Sequence, residues 1–341
     1  MTAHLDVNLT LLAANIASVS GRIAPAELML VVKDDAYAHG IISVVARAFD
    51  EGVRWFGAFD IASAAKVRRT VGSQARIFVW IAVTRKEIEE ALDLDLDFGV
   101  GDPGMLEDVA AASGARRARV HLKIDTGLHR NGIRPEDWVA VAARARSLEA
   151  AGAIDVVGVW SHIAEASDEE DDKARELFDA AVLQARDAGL TPSILHLAAS
   201  AASWERPEFR YDMARVGAYC YGIRPAGGPS EADLSISPVA SLRSVVTAIG
   251  ETVTVGVGSL HGLPSILAAK MKVKTPDGWR LVVRVDDLEM QVESWPSAHV
   301  GDDVTIYGPD AMSATDLAEK IETIGEEIAL RVSPIVSRRY M

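Results

Sequence analysis

From about residue 10 to residue 225, short β-branched runs alternate with longer Ala-, Arg- and Glu-rich stretches in which apolar positions recur at helical spacing. Leu28–Lys33, Trp55–Phe59, Arg76–Ile81, Phe98–Val100, Val120–Lys123, Val156–Trp160 and Ile194–His196 read as buried strands. Between them Ile41–Glu51, Ala62–Val71, Arg85–Leu92, Pro135–Ala151 and Asp171–Ala188 read as helices. That many strand-helix units predict an α/β fold, an N-terminal (β/α)8 TIM-type barrel. After the Pro- and Gly-rich patch Pro225 to Ser230 the pattern changes to strands without intervening helices: Val239–Ile249, Val253–Val257, Leu281–Val285, Asp303–Tyr307 and Ile328–Val332. A last helix, Ala314–Ile324, is expected behind Ser313 as its N-cap. The patch is the natural boundary, giving a barrel over 10–225 and a C-terminal mainly-β domain over 226–341, with 1–9 attached to it.

Charge narrows the partners. A formal net charge of −14 over 341 residues argues against a nucleic-acid surface or an anionic membrane face, which require clustered Lys and Arg. A phosphate-bearing ligand stays open, because backbone N–H groups and a few local cations bind one whatever the net charge. The single cysteine, Cys220, excludes an internal disulfide and a cysteine-clustered metal site, so no metal is expected, and its apolar setting reads as an ordinary buried thiol. With neither an export signal nor a run of eighteen apolar residues, the cytoplasm is the default location.

The chemistry-bearing residues fall at strand ends. Lys33, in Val31-Val-Lys33-Asp-Asp-Ala-Tyr37-Ala-His39-Gly40, ends an apolar strand where barrel enzymes place reactive groups, and desolvation there lowers an amine pKa toward nucleophilic competence. Position alone also fits a solvated strand-end lysine. In His121-Leu-Lys123-Ile-Asp125-Thr-Gly127-Leu-His-Arg130-Asn-Gly132, several polar residues follow a strand directly, which is costly unless they bind a ligand or one another, as in a Lys123–Asp125 ion pair. Next come Ser161-His162-Ile-Ala and Leu195-His196-Leu-Ala-Ala199-Ser200-Ala-Ala, where a serine before small residues opens or caps a helix. A Ser-His hydrolase built on Ser200 and His196 lacks the G-x-S-x-G elbow. Tyr211-Asp212-Met213-Ala-Arg215-Val-Gly217 closes the barrel half, and Val300 to Gly308 and Leu330 to Tyr340 follow in the second domain.

Together, in this order, these segments resemble the alanine racemase family, whose members read VVKANAYGHG, HLKxDTGMxRxG, THFA, ANSAA, DMVRPGIALYG, VGDEVVLWG and RLSPRVPRVY. The resemblance implies a pyridoxal 5'-phosphate enzyme that interconverts L- and D-alanine in a head-to-tail homodimer. It implies that Lys33 carries the cofactor and serves as catalytic base, with Tyr37 as a phosphate ligand. Arg130 would meet the cofactor phenolate oxygen and the substrate carboxylate, steadied by a Lys123 that is often carbamylated. His162 would pack by the pyridine ring, Arg215 would face the ring nitrogen, and Ser200 and Gly217 would join the cofactor-binding set. Because a guanidinium keeps its proton, the ring is a weaker electron sink, which favours controlled proton transfer at Cα.

Departures lie in the half of the site that a neighbouring subunit donates. Thr252 to Gly258 matches the segment holding the second proton-transfer tyrosine, and Val255 or Val257 takes its place. The GYADG segment has no counterpart in Ile266–Trp279, and a family methionine falls at about Asp287 in Arg284 to Glu289. Near the terminus a phosphate-contacting tyrosine is replaced at about Pro334, with Tyr340 close by. Asp286, Asp287 and Glu289 read as solvated residues or as partners for a cationic substrate, and His261 as a solvated loop histidine or a substitute acid or base. One-face chemistry on another amino acid, or a non-catalytic cofactor-binding homologue, therefore stands beside racemisation.

Overall fold

Helix starts are written locally. Asp60, Thr84, Asp102 and Ser167 each place a side-chain oxygen on a backbone N–H of the first turn that follows. Thr84 and Glu87 do so reciprocally. The computed structural model describes residues 2–165 and 167–341, in two compact units.

One unit comprises Val19–Lys33 and Gly52–Gly217. Its eight strands, all parallel, are Glu27–Val31, Trp55–Ala58, Arg76–Val79, Asp97–Val100, Ala118–Lys123, Ile154–Trp160, Ile194–His196 and Met213–Val216. Each pairs with the next in sequence except the last two, and the first pairs with the eighth. The seventh and eighth are joined by hydrogen bonds from Asp212 N–H to Leu195 O and from Arg215 N–H to Ala198 O, both 3.1 Å. The expected barrel is thus present, its eighth strand supplied by the segment around Arg215. Inside it Met29, Trp55, Phe78, Trp160 and Met213 form a buried cluster. Each such side chain stabilises by about 1.5–3 kcal/mol. Helices Ile61–Val71, Arg85–Asp93, Pro103–Ser113, Pro135–Ala150, Asp168–Asp187 and Ser200–Glu205 connect the strands. Pro103–Ser113 is a helix that the periodicity did not single out.

The other unit comprises residues 2–18, 34–51 and 218–341. Its sheet is antiparallel except where His4–Val7 runs parallel to Ser337–Tyr340. The strands run in the order Thr252–Val255, Met290–Glu293, Gly278–Val285, Lys272–Thr275, Asp303–Tyr307, Ala240–Ile249, His4–Val7, Ser337–Tyr340. Thr252–Val255 also pairs with Ala240–Ile249, so the sheet curls on itself. The strand expected at Ile328–Val332 is instead the end of a helix, Gly325–Leu330. A short apolar run is ambiguous by period, and the Glu-Glu-Ile-Ala-Leu composition with two acids in the first turn decides for helix. The helix expected over Ala314–Ile324 ends at Glu319. Cys220 is buried, and burial pushes its thiol pKa up.

After Lys33 the backbone does something the sequence does not announce. Asp34, Asp35, Ala36, Tyr37 and Ala38 all adopt positive φ, between 53° and 64°, a left-handed turn made without glycine. Each such residue costs about 1–2 kcal/mol. The turn is held by Ala38 N–H donating to Asp34 O and Gly40 N–H to Asp35 O, both 2.9 Å. Buried His39 adds Nδ1–H to the carbonyls of Tyr37 at 2.7 Å and Ala36 at 3.0 Å. Asp35 then accepts from Ile41 N–H, opening the next helix.

Candidate active site

The carboxyl ends of the parallel strands hold the residues singled out from the sequence, where barrel enzymes place their reactive groups. Lys33 lies two residues beyond the first strand, Lys123 ends the fifth, His162 follows the sixth, and Arg215 lies within the eighth. Arg215 is buried, with its terminal nitrogens tied to protein acceptors. Nη1 donates to His196 O at 2.9 Å and faces His196 Nδ1 at 3.2 Å. Nη2 donates to Ser161 O at 2.7 Å and Leu197 O at 2.9 Å, with His162 Nδ1 at 3.3 Å. The four terminal hydrogens are thereby used, and Nε–H is the donor left for a ligand. Burial lowers its pKa to about 9, so the group stays charged at neutral pH.

Lys123 shares the floor of this site with Arg215. Both cations lie over the Trp160 ring, at 4.7 Å for Lys123 Nζ and 5.2 Å for the Arg215 guanidinium carbon. Lys123 donates to Asn131 Oδ1 at 3.3 Å. Gly101 makes room for that asparagine, since a Cβ there would meet its Oδ1 at 2.2 Å. The alternative of a Lys123–Asp125 ion pair is corrected: Asp125 accepts from His129 Nδ1 at 2.9 Å and from the N–H groups of Gly127 and His129. Burial, then the charges of Arg130 and Arg215, lower the Lys123 pKa to about 8. Arg130 itself is exposed.

His162 registers the whole cluster. Burial lowers its pKa to about 3, reinforced by the charges of Arg215, Arg130, Lys123 and Lys33 in that order, so the ring is neutral at pH 7. Of these four, Arg215 touches the ring, 3.3 Å from Nδ1. Ser200 is the first residue of the short helix Ser200–Glu205, and Gly217 lies just past the eighth strand. Tyr37 belongs to the other unit, where its ring lies 4.7 Å from that of Tyr221.

Sequence reasoning missed Glu165. Its carboxylate accepts from Ala202 N–H at 2.9 Å, and burial raises its pKa. The available signal was a carboxylate three residues past His162, in a loop leaving a barrel strand. In the other unit the residues matching the absent tyrosine, Val255 and Val257, are both 0% exposed. The picture of His261 as a solvated loop residue is corrected: it is 3% exposed and its Nδ1 accepts from Gly258 N–H at 3.0 Å. Asp287 and Glu289 are exposed and Asp286 is half-buried.

Residues 7–225 match the family model of the alanine racemase N-terminal domain, and residues 243–340 that of the alanine racemase C-terminal domain. The chain belongs to the alanine racemase family. Among its relatives, the alanine racemase of Beutenbergia cavernae is 34% identical, with 99% of this chain and 98% of the relative covered. That of Thermobifida fusca is 32% identical at the same coverage. The crystal structure of alanine racemase from D-cycloserine-producing Streptomyces lavendulae superposes with a TM-score of 0.94 at 28% identity, covering 100% of this chain and 97% of the other. A Clostridium difficile alanine racemase in complex with cycloserine gives 0.91 at 25% identity, covering 100% and 96%.

The side chains of the barrel mouth fit an anionic, aromatic cofactor. The carboxylates that act on the cations there, Asp125 and Glu165, are fewer than the cations, so positive charge is in surplus. An amine, a flat aromatic floor and a guanidinium with one N–H to give are the donor set that pyridoxal phosphate requires.

Proposed function

We propose that this chain is a pyridoxal-phosphate-dependent amino-acid racemase acting on alanine. The observation that carries the reading is the concentration of cations at the carboxyl ends of the strands, where Lys123 and Arg215 share the Trp160 ring and Arg215 reaches His162 Nδ1 at 3.3 Å. Such a surplus suits a ligand bearing a phosphate and a substrate bearing a carboxylate. The cofactor, when bound, supplies an aldehyde for amine attachment and an electron sink for the charge left at Cα. Lys33 Nζ is its tether and takes or returns the Cα proton on its own face. Arg215 directs Nε–H at the ring nitrogen and keeps its proton, which limits side reactions. Arg130 orients the substrate carboxylate. His162 stays neutral beside the ring, and Ser200 and Gly217 serve the phosphate end.

A proton must also be exchanged on the opposite face, where the family resemblance places a tyrosine from a neighbouring subunit. Here the matching residue, Val255 or Val257, is in either register an enclosed aliphatic side chain. That observation favours a second reading, proton exchange on the Lys33 face alone. Losing one proton-transfer group costs on the order of 10²–10⁴ in rate. Incubation of the cofactor-loaded protein with L- or D-alanine in deuterated water separates the two. Deuterium at Cα with inversion from both enantiomers supports racemisation; exchange from one enantiomer with retention overturns it. Lys33→Ala is expected to abolish the near-ultraviolet and visible absorption of bound cofactor. We infer a head-to-tail homodimer in the cytoplasm; a monomeric sedimentation profile at micromolar concentration refutes the assembly.

A further inference from the structure

Behind Arg215, a line of polar side chains runs through the barrel interior, and none of them is used by the chemistry above. Asp97, first residue of the fourth strand, is fully buried and accepts from Arg76 and from Arg119. His121 Nε2 lies 3.4 Å from Asp97 Oδ1. The angle falls short of a hydrogen bond, so this is an electrostatic contact between a buried ring nitrogen and a buried carboxylate. On the other side of the ring, His121 Nδ1 is 2.9 Å from His196 Nε2. His196 Nδ1 in turn faces Arg215 Nη1 at 3.2 Å.

Among the described residues the nitrogens of these rings have no other side-chain partners. Both are 0% exposed. Trp55 meets His121 edge-on, Phe78 meets both rings edge-on, and Trp160 stacks on His196 at an interplanar angle of 5°. Space for the His121 ring is built into the sixth strand. Gly158 stands where a Cβ would approach His121 Nδ1 to 2.3 Å, and the fifth and sixth strands slip register at His121.

The two ends fix the direction of the chain between them. A carboxylate only accepts and a guanidinium only donates, while a neutral imidazole carries a single N–H. Arg215 donates to His196 Nδ1, so the His196 proton sits on Nε2. That proton points at His121 Nδ1, which must be bare, so the His121 proton sits on Nε2 and faces Asp97. Any other placement sets two N–H groups against each other or a bare nitrogen against a carboxylate, each an unsatisfied buried group. Burial lowers both imidazole pKa values, consistent with neutral rings.

We propose that the hydrogen-bonded pair His121–His196, with Asp97 facing its far end, forms a one-directional polar relay that orients Arg215 from behind, making the three positioning residues for the group that faces the cofactor ring. The inference rests on the cofactor reading of Arg215 above. Its first test needs no cofactor: nitrogen-15 NMR of histidine-labelled protein. Both His121 and His196 are expected as the Nε2–H form, without titration between pH 5 and 8. A His196 in the Nδ1–H form, or titration of either ring in that range, overturns the relay. The second test uses Asp97→Asn and Gly158→Ala, the latter pressing on the His121 ring at 2.3 Å and on the Ile194 carbonyl at 2.9 Å without changing charge. Each is expected to weaken cofactor binding, read by absorption titration, by about tenfold. Each should also lower kcat by ten- to a hundredfold, with KM for alanine changed less than threefold. Variants that fold, shift the His196 nitrogen signals and yet bind cofactor within twofold of the parent overturn the positioning role. Wild-type protein that binds no cofactor would instead overturn the reading of Arg215, leaving the tautomer result to stand by itself.

Discussion

A lysine held beside two guanidinium groups loses much of its preference for the charged form. Lys123 is such a lysine, with a pKa lowered to about 8 by burial and by Arg130 and Arg215. About a tenth of it is then an uncharged amine at pH 7, a far larger share than for a solvated lysine. Only that form captures carbon dioxide, and the resulting carbamate would set a negative charge among the cations of the barrel mouth. Protein equilibrated with carbon-13 bicarbonate is therefore expected to give a carbamate resonance that grows as pH rises through 8. The signal should vanish in Lys123→Ala, and its presence in that variant would assign it elsewhere. His39 works at the same scale, with one ring nitrogen donating to two carbonyls of the left-handed turn. His39→Ala removes both bonds inside a buried site and is expected to destabilise by about 2 kcal/mol. Urea unfolding followed by far-ultraviolet circular dichroism measures it.

Most elements whose cause is local were legible in the chain, Leu9–Ile23 and Pro103–Ser113 excepted, and those whose cause is tertiary were not. Capped helices and β-branched strands of the barrel were read from periodicity because each obeys one period over its full length. Strand ends also located Lys33, Lys123 and His162, whereas Arg215 was reached through the family resemblance, its own strand having gone unread. By contrast, nothing in Asp34 to Ala38 signals positive φ, because no glycine falls within those five positions. The turn is enforced from outside its own propensities, by Asp35, His39 and the backbone bonds that close it. Gly325–Leu330 was misread for a related reason: five apolar-rich residues satisfy either period. Glu165 escaped notice because its role depends on Ala202, distant in sequence and adjacent in space. The imidazole relay is the same kind of feature, with Asp97, His121, His196 and Arg215 contributed by four different strands.

For the whole molecule, acidity sets conditions on stability. In the antiparallel unit Arg224 is buried among Glu231, Asp316 and Glu319, at 3.2, 2.7 and 2.6 Å. Its side-chain bond, with the Gly227 N–H, holds the Glu319 carboxyl down at about 2, from an ordinary 4.5. A folded value below the unfolded one means that the ionised form favours the native state. That contribution is present in full above about pH 4.5 and is lost as pH falls toward 2. Glu319→Gln should therefore lower the melting temperature at pH 7, with the deficit shrinking as pH falls through 4.5 toward 2. A deficit that is constant with pH would assign the loss to packing instead of charge. Glu319 is only partly buried, so its effect is smaller than that of Arg224→Ala, which strands three carboxylates and is expected to cost about 3 kcal/mol.

Val255 carries one more consequence. The family resemblance offers Val255→Tyr as one of two ways, with Val257→Tyr, to give the protein a conventional second acid. The side chain it would replace is wholly enclosed, and the next residue, Gly256, has no room even for a Cβ, which would meet Thr2 Oγ1 at 2.1 Å. Forcing a phenol ring into such a site typically costs about 1–3 kcal/mol. The single exchange is expected to lower thermal stability and leave turnover unimproved, as calorimetry and a coupled alanine assay would report. The lost hydroxyl has in effect been walled over, and going back would demand that its neighbours move first.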